Sequence, residues 1–132
     1  MKSVLVIGMG RFGRHLAGRM LDLGNDVMIV DSNEKLIEEL SIRFGDSQIG
    51  DCTNENVIKS LGVDQFDICF VTMGEDFQSS LVITSLLKKY NARFVIAKAN
   101  QDIQADLLKK IGADEIVYPE KEIANKLNIE RS

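Results

Sequence analysis

The chain has 132 residues, of which 45% are hydrophobic and 27% are charged, and its formal net charge is −4. This length suits one domain with a hydrophobic core, and the acidic balance without a basic stripe argues against a nucleic-acid partner. The longest apolar runs are strand-sized, whereas a bilayer-spanning helix needs about 20 residues, so no direct membrane insertion is expected. Two cysteines are too few for a disulfide framework or a zinc site, and no metal site is predicted.

An apolar strand over 3–7 runs into three glycines near the start of the chain. Gly8, Gly10 and Gly13 have the G-x-G-x-x-G spacing. In this motif the first glycine makes a tight turn, the second leaves room for a pyrophosphate, and the third lets the next helix pack closely on the strand. The helix that begins at Arg11 would then present its free N–H groups and positive end to the anion.

Strands and helices alternate along the whole chain, which predicts a parallel sheet that is covered on both faces. Helices capped by Ser32 or Asn33 and by Thr53 or Asn54 follow the second and third strands. The pattern predicts a doubly wound, Rossmann-type α/β fold with strand order 3-2-1-4-5-6, and residues 1–132 are expected to form one domain. The predicted strands cover 3–7, 27–30, 47–49, 67–72, 93–98 and 115–118, and the other predicted helices cover 11–24, 77–90, 101–111 and a segment after Pro119.

The helices of the second half show the apolar spacing of a helix that buries one face. We expect these positions to pack on the sheet. In the helix over 77–90 they are Val82, Ile83, Leu86, Leu87 and Tyr90, and in the helix over 101–111 they are Ile103, Leu107, Leu108 and Ile111.

Asp31 ends the second strand, at the edge where an open parallel sheet binds its ligand. A carboxylate at this position typically accepts hydrogen bonds from the ribose hydroxyls of an adenosine; the alternative is a simple helix cap. The residues that follow, Ser32-Asn33-Glu34, contain no arginine for a 2′-phosphate. The sequence therefore favours NAD(H) or an adenine nucleotide over NADP.

Other candidate ligand-binding residues follow the remaining strand ends. Arg11 could bind phosphate oxygens bidentately and sense their number, or it could be an ordinary solvated arginine. Asp51 could accept from the exocyclic amine of adenine, Cys52 is interpreted as an inert small residue rather than a redox group, and Lys98 could meet a second ribose or a terminal phosphate. The complete set of predicted cofactor-binding residues is Gly8, Met9, Gly10, Arg11, Phe12, Gly13, Asp31, Ser32, Asp51, Cys52, Thr72, Met73, Gly74 and Lys98.

Catalytic residues are not predicted anywhere in the chain. His15 is the single histidine, and it falls on the first turns of the first helix beside Arg14 and Arg19, which are expected to face solvent. A general acid or base must meet its substrate in a cleft, and dehydrogenases build that cleft with a substrate domain. We therefore do not expect an enzyme.

Five stretches together resemble a known family: IGMGRFG at 7–13, VD at 30–31, GDCT at 50–53, FVT at 70–72 and GADEIVYPE at 112–120. The chain resembles the N-terminal, Rossmann half of RCK domains (regulator of conductance of potassium), and more narrowly the Trk/Ktr-type regulatory subunits of bacterial potassium uptake. Many dehydrogenases share the glycine motif, whereas the GDxT and GADxxxxPE segments are more specific. The resemblance extends over essentially the whole chain.

The resemblance implies a non-enzymatic regulator that binds NAD(H), ATP, ADP or AMP. It implies dimers or larger rings on the cytoplasmic side of a membrane potassium channel or transporter, with nucleotide-driven rearrangement that gates this partner. Glu120 matches a family acid near the dimer interface, and Ile123, Ala124, Leu127 and Ile129 would help to join subunits. Family members usually continue into a C-terminal RCK subdomain, which is expected to be absent from this chain.

Two other functions remain open at the sequence level. The cofactor-binding half of an NAD-dependent oxidoreductase would explain 8–13 and Asp31, although it leaves the 112–120 ending unexplained. A structural oligomerisation domain with a vestigial cleft would explain the fold alone. Catalytic turnover would favour the oxidoreductase, and a lack of nucleotide binding would favour the structural domain.

Overall fold

Six strands alternate with five helices over residues 1–119, which are the residues that the computed structural model of the chain describes. A short 3₁₀ helix at Val63–Gln65, which the sequence pattern does not predict, precedes the fourth strand. The strands are β1 Ser3–Ile7, β2 Asp26–Asp31, β3 Asp46–Ile49, β4 Ile68–Val71, β5 Val95–Lys98 and β6 Glu115–Val117. The helices are α1 Arg11–Asp22, α2 Glu34–Leu40, α3 Glu55–Leu61, α4 Phe77–Lys89 and α5 Asp102–Ile111.

The strands form a single parallel sheet in the order β3-β2-β1-β4-β5-β6, which confirms the predicted doubly wound topology. The order reverses at β1, which pairs with β2 on one side and β4 on the other. In the last register positions Ile7 lies beside Val30 and Val71. The segments that follow β1, β2 and β4 therefore meet at one edge of the sheet, where such folds bind ligands.

Both faces of the sheet are buried at its centre, as the alternation along β1 illustrates. Val4 and Val6 belong to the core beneath α1 and α2, whereas Leu5 and Ile7 belong to the core beneath α3, α4 and α5. Full burial of each such side chain is worth roughly 1.5–3 kcal/mol relative to exposure. The strands are thus fixed in register by their apolar side chains, which in turn fixes where each strand ends.

Several helix boundaries differ slightly from the sequence prediction. The α1 helix ends at Asp22 rather than at Gly24, because Leu23 and Gly24 already form its closing turn through N–H bonds to Arg19 and Leu21. Of the two candidate caps for each of the next helices, Asn33 caps α2 and Asn54 caps α3. These caps place the loops after β2 and β3 beside the glycine turn.

The predicted buried faces of α4 and α5 are wrong in part. Ile103 is 61% exposed, and Leu107, Ile111 and Val82 are also exposed. The α5 helix packs on α4 and β6 at the outer edge of the sheet through Ala105 and Leu108, so much of its apolar stripe faces outward.

Among residues 1–119, no helix is both long enough and apolar enough to cross a bilayer. The final helix predicted after Pro119, with Glu120 and the apolar positions Ile123, Ala124, Leu127 and Ile129, lies outside the described residues.

Candidate functional site

The turn between β1 and α1 is closely packed at its first and third glycines. Gly8 has φ +97°, and its N–H donates to the carbonyl oxygen of Val30 at 2.9 Å. A Cβ at Gly8 would lie 2.7 Å from the backbone oxygen of Thr72, and a Cβ at Gly13 would overlap the carbonyl oxygen of Gly8. Both positions therefore require glycine for the reasons that the motif predicts.

Gly10, by contrast, faces open space. A Cβ at Gly10 would meet no atom within 4 Å, so the motif's second glycine leaves an approach to the backbone clear. Gly10 is also the N-cap of α1, and among residues 1–119 no side chain caps this end of the helix. The first N–H groups of α1 and the helix dipole are consequently available to an anion such as a phosphate.

Asp31 lies beside this turn and is already engaged in two hydrogen bonds. Its Oδ2 accepts from the N–H of Met9 at 2.7 Å, and its Oδ1 accepts from the N–H of Asn33 at 2.8 Å. The cap of α2 is Asn33, whose side chain accepts from the N–H of Leu36, so Asp31 is not a simple helix cap. Each carboxylate oxygen has a second lone pair that could accept a hydrogen bond from a hydroxyl group.

A cleft of about 240 Å³, which includes its open mouth, lies between the ends of β1 and β2 and the segments after β3 and β4. Six of the predicted residues line it: Gly8, Asp31, Ser32, Asp51, Cys52 and Met73. Sequence reasoning missed Ile7, Val30, Gly50 and Ile83, which complete the lining. The first three directly precede predicted residues, whereas Ile83 on α4 had the sequence signature of an ordinary core position.

Asp51 and Cys52, which follow β3, have side-chain pKa values that are shifted in opposite directions. The hydroxyl and N–H of Thr53 both donate to Oδ1 of Asp51, and these bonds lower the pKa of its carboxyl group. Within residues 1–119, Oδ2 of Asp51 has no partner and can accept from a ligand. Cys52 is 3% exposed, and its burial, with Asp51 and Asp31 nearby, raises the pKa of its thiol to about 12. The thiol therefore stays protonated and unreactive, in agreement with the inert interpretation.

Other predicted residues do not line the cleft. Arg11 is exposed at the start of α1 and makes no hydrogen bond or ion pair within the described part of the chain. The side chain of Met9 is fully buried beneath α1, so only its backbone reaches the site. Phe12, Gly74 and Lys98 also lie outside the cleft lining. Their contacts with a ligand stay predictions.

His15 is exposed on α1, away from the cleft lining. Over residues 1–119 the structure contains no group of three or more His, Cys, Asp or Glu side chains that could hold a metal ion.

The parallel sheet, the glycine turn and the acid at the end of β2 define a Rossmann-type α/β domain. The family model for the TrkA-N domain matches residues 4–119. The chain therefore belongs to the TrkA-N domain family.

Two curated relatives are similar over most of the chain. The Ktr system potassium uptake protein C of Bacillus subtilis (strain 168) is 37% identical over 126 residues, which are 96% of this chain and 57% of that protein. The Ktr system potassium uptake protein A of Vibrio alginolyticus is 34% identical over 122 residues, or 92% of this chain and 56% of that protein. The chain thus spans little more than half the length of these relatives.

Solved structures support the same fold. The NAD(P)-binding domain of an exopolyphosphatase-related protein from Archaeoglobus fulgidus superposes with a TM-score of 0.88 and 22% identity, covering 100% of both chains. The GsuK channel bound to NAD has a TM-score of 0.78 and 17% identity over 88% of this chain and 21% of that one. The Shewanella denitrificans Kef CTD in its AMP-bound form has a TM-score of 0.78 and 23% identity over 98% of this chain and 79% of that one.

Proposed function

We propose that the chain is the nucleotide-sensing part of a potassium-uptake regulator. It binds NAD(H) or an adenine nucleotide (ATP, ADP or AMP), and binding changes the packing of subunits that control a membrane channel or transporter. The observation that carries this proposal is the open, uncapped start of α1 at Gly10, with Asp31 and the cleft beside it.

The polar groups where the strands end suggest how an adenine nucleotide would lie along this edge of the sheet. Its phosphates meet the free N–H groups at the start of α1, where Arg11 has no competing partner within residues 1–119. The ribose hydroxyls donate to Asp31, and the base enters the cleft, where Oδ2 of Asp51 accepts from the exocyclic amine. The exposed Ser32, Asn33 and Glu34 offer no cation for a 2′-phosphate, which disfavours NADP.

The role in potassium transport is supported by the names of the two relatives, both of which are potassium uptake proteins. The choice of ligand is supported by the neighbours solved with NAD and with AMP. A regulator of this kind needs a nucleotide that binds two subunit arrangements with different affinities. We propose a homodimer or larger ring at the cytoplasmic face of the membrane, attached through its transporter partner and without catalytic activity.

The organisation of residues 1–132 as one domain stays a prediction, as does the interfacial role of Glu120. Limited proteolysis of the protein, with fragments sized by mass spectrometry, checks the first. A Glu120→Gln variant in a sedimentation assay checks the second.

Calorimetry and thermal unfolding with NAD⁺, NADH, ATP, ADP and AMP test the proposal directly. A ligand at 100 times its dissociation constant should stabilise the fold by about 2.7 kcal/mol. Asp31→Ala should weaken every adenosine ligand roughly tenfold or more, because a hydrogen bond to a charged group is lost. Asp26→Ala, at the other end of β2, is the matched control and should bind normally.

The outcomes separate the candidate functions. Binding without turnover supports a sensor, and reduction of NAD⁺ by a substrate in the presence of this chain would identify an oxidoreductase half instead. If none of the five nucleotides binds, the chain is a structural domain and the sensing role is wrong.

A further inference from the structure

We infer that Thr72 is a positioning residue: its hydroxyl group holds the glycine turn in the shape that binds phosphate, without touching the ligand itself. This inference rests on the proposed nucleotide binding. Thr72 directly follows β4 and is 2% exposed, and its N–H extends the pairing with β1 by donating to the carbonyl of Ile7 at 2.9 Å.

The hydroxyl group of Thr72 lies between two carbonyl groups of the turn. Its Oγ1 is 3.0 Å from the oxygen of Ile7 and 2.9 Å from the oxygen of Gly8. The Ile7 oxygen already accepts from the N–H of Thr72, whereas among residues 1–119 the hydroxyl is the only donor to the Gly8 oxygen. Removing the hydroxyl would therefore leave a buried carbonyl without a partner, which is costly.

The peptide unit between Gly8 and Met9 is thereby held at both ends. Its carbonyl accepts from Thr72 after β4, and its N–H donates to Asp31 at the end of β2. Gly10 and the free N–H groups of α1 follow immediately, so the plane of this peptide sets the direction in which they point. We call this arrangement the peptide clamp, formed by Thr72 and Asp31 on the Gly8–Met9 peptide.

The hydroxyl group of Thr72 is closely surrounded by the glycine turn. A Cβ at Gly13 would lie 2.6 Å from Oγ1 of Thr72, and a Cβ at Gly8 would lie 2.7 Å from its backbone oxygen. The hydroxyl is thus enclosed by the turn and the first turn of α1. It cannot reach a ligand, which distinguishes a positioning residue from a binding residue.

The ratio of the adenosine and ADP dissociation constants tests the inference, because adenosine lacks the phosphates that the turn binds. Thr72→Val keeps the shape and removes the donor, and it should weaken ADP about three- to tenfold, equivalent to one neutral hydrogen bond, while adenosine changes less than about twofold. Thr72→Ser keeps the hydroxyl and should restore the wild-type ratio. A purely structural role would alter the melting temperature and leave the ratio unchanged.

Thr84→Val is the matched control, because Thr84 is buried on α4 and its hydroxyl makes no hydrogen bond within the described residues. It should leave the ratio unchanged. If Thr72→Val does not fold, Thr72→Cys replaces it, since a thiol is a weak donor.

A folded Thr72→Val or Thr72→Cys protein with the wild-type ratio, or a serine variant that fails to restore it, overturns the clamp while nucleotide sensing stands. If the wild-type protein binds no ADP, the proposed function fails, and this inference fails with it.

Discussion

Two neighbouring turns of the sheet have the same topology and opposite chemistry. The turn from β1 to α1 and the turn from β4 to α4 lie side by side where the strand order reverses. The first reaches its helix at Gly10, with no side-chain cap. The second reaches its helix at Asp76, whose carboxylate accepts from the N–H of Ser79 at 3.1 Å and from its hydroxyl at 2.6 Å.

The difference shows how two neighbouring turns of one fold can differ in their attraction for an anion. The carboxylate of Asp76 satisfies an N–H group at the start of α4 and adds a negative charge there, which repels phosphate. Within the part of the chain that the structure describes, the start of α1 keeps its N–H groups free, and it has Arg11 in its first turn. The turn after β4 also stabilises the turn after β1, because the hydroxyl group of Thr72 at its beginning donates to the carbonyl oxygen of Gly8.

The largest loss of ADP affinity is expected from Gly10→Ala, which adds a side chain to the open turn. The new methyl group occupies the space through which phosphate approaches, and ADP affinity should fall roughly tenfold or more. The free protein should lose less than about 1 kcal/mol, since alanine is only a poorer N-cap than glycine. Calorimetry and thermal unfolding measure the two effects separately.

Gly45→Ala is the matched control, because Gly45 is exposed just before β3, at the opposite end of the strands, and a Cβ there also meets no atom within 4 Å. It should leave ADP binding unchanged. Equal losses for the two variants would mean that the effect does not arise at the open turn.

A smaller effect is expected from Arg11→Ala, which removes the cation at the open turn. Affinity for ATP and ADP should fall about three- to tenfold and that for AMP should fall less, because fewer phosphate oxygens reach the guanidinium. Arg19→Ala, exposed in the last turn of the same helix, is the control. Equal losses of AMP and ATP binding would rule out a role for Arg11 in sensing phosphate number.

The smallest effect is expected from Asp76→Ala, which removes the cap of α4. The variant should melt a few degrees lower at neutral pH and bind nucleotides normally. Hydrogen bonds from the Ser79 hydroxyl and N–H lower the pKa of Asp76 in the folded protein, so its stabilisation is present above the unfolded value of 3.8 and is lost as the pH falls through the folded value.

Thermal unfolding between pH 7 and pH 2.5 measures this dependence. The difference between the melting temperatures of the wild-type and variant proteins should narrow as the pH falls. A gap that stays the same over this range would show that the cap does not depend on the charge of Asp76.

The sequence alone predicts the sheet order, and it predicts the last residue of every strand to within one position. The continuous apolar runs and the glycine or polar residues that follow them are local signals. The sequence also predicts Asp31, because the motif places an acidic residue at the end of the second strand, about 20 residues after the glycines. The outward face of α5 could not be predicted, since Ile103 has helical apolar spacing and its exposure depends on where α5 sits at the edge of the sheet.

The role of Thr72 could not be predicted either. Its hydroxyl bonds to the carbonyl of Gly8, 64 positions earlier in the chain, and no short-range pattern encodes that distance. The place of Ile83 in the cleft lining could not be predicted for the same reason. Only the packing of α4 on the sheet brings Ile83 to the cleft that Gly8 also lines.

The hydrogen bond between Thr72 and Gly8 also determines when the phosphate site can form as the chain folds. The glycine motif is synthesised first, yet its carbonyl has no donor until β4 has been made and has paired with β1. Long-range pairings of this kind form slowly, because loop closure costs entropy before the contact compensates. A nascent or truncated chain that ends before β4 therefore contains the whole fingerprint and lacks the competent phosphate site.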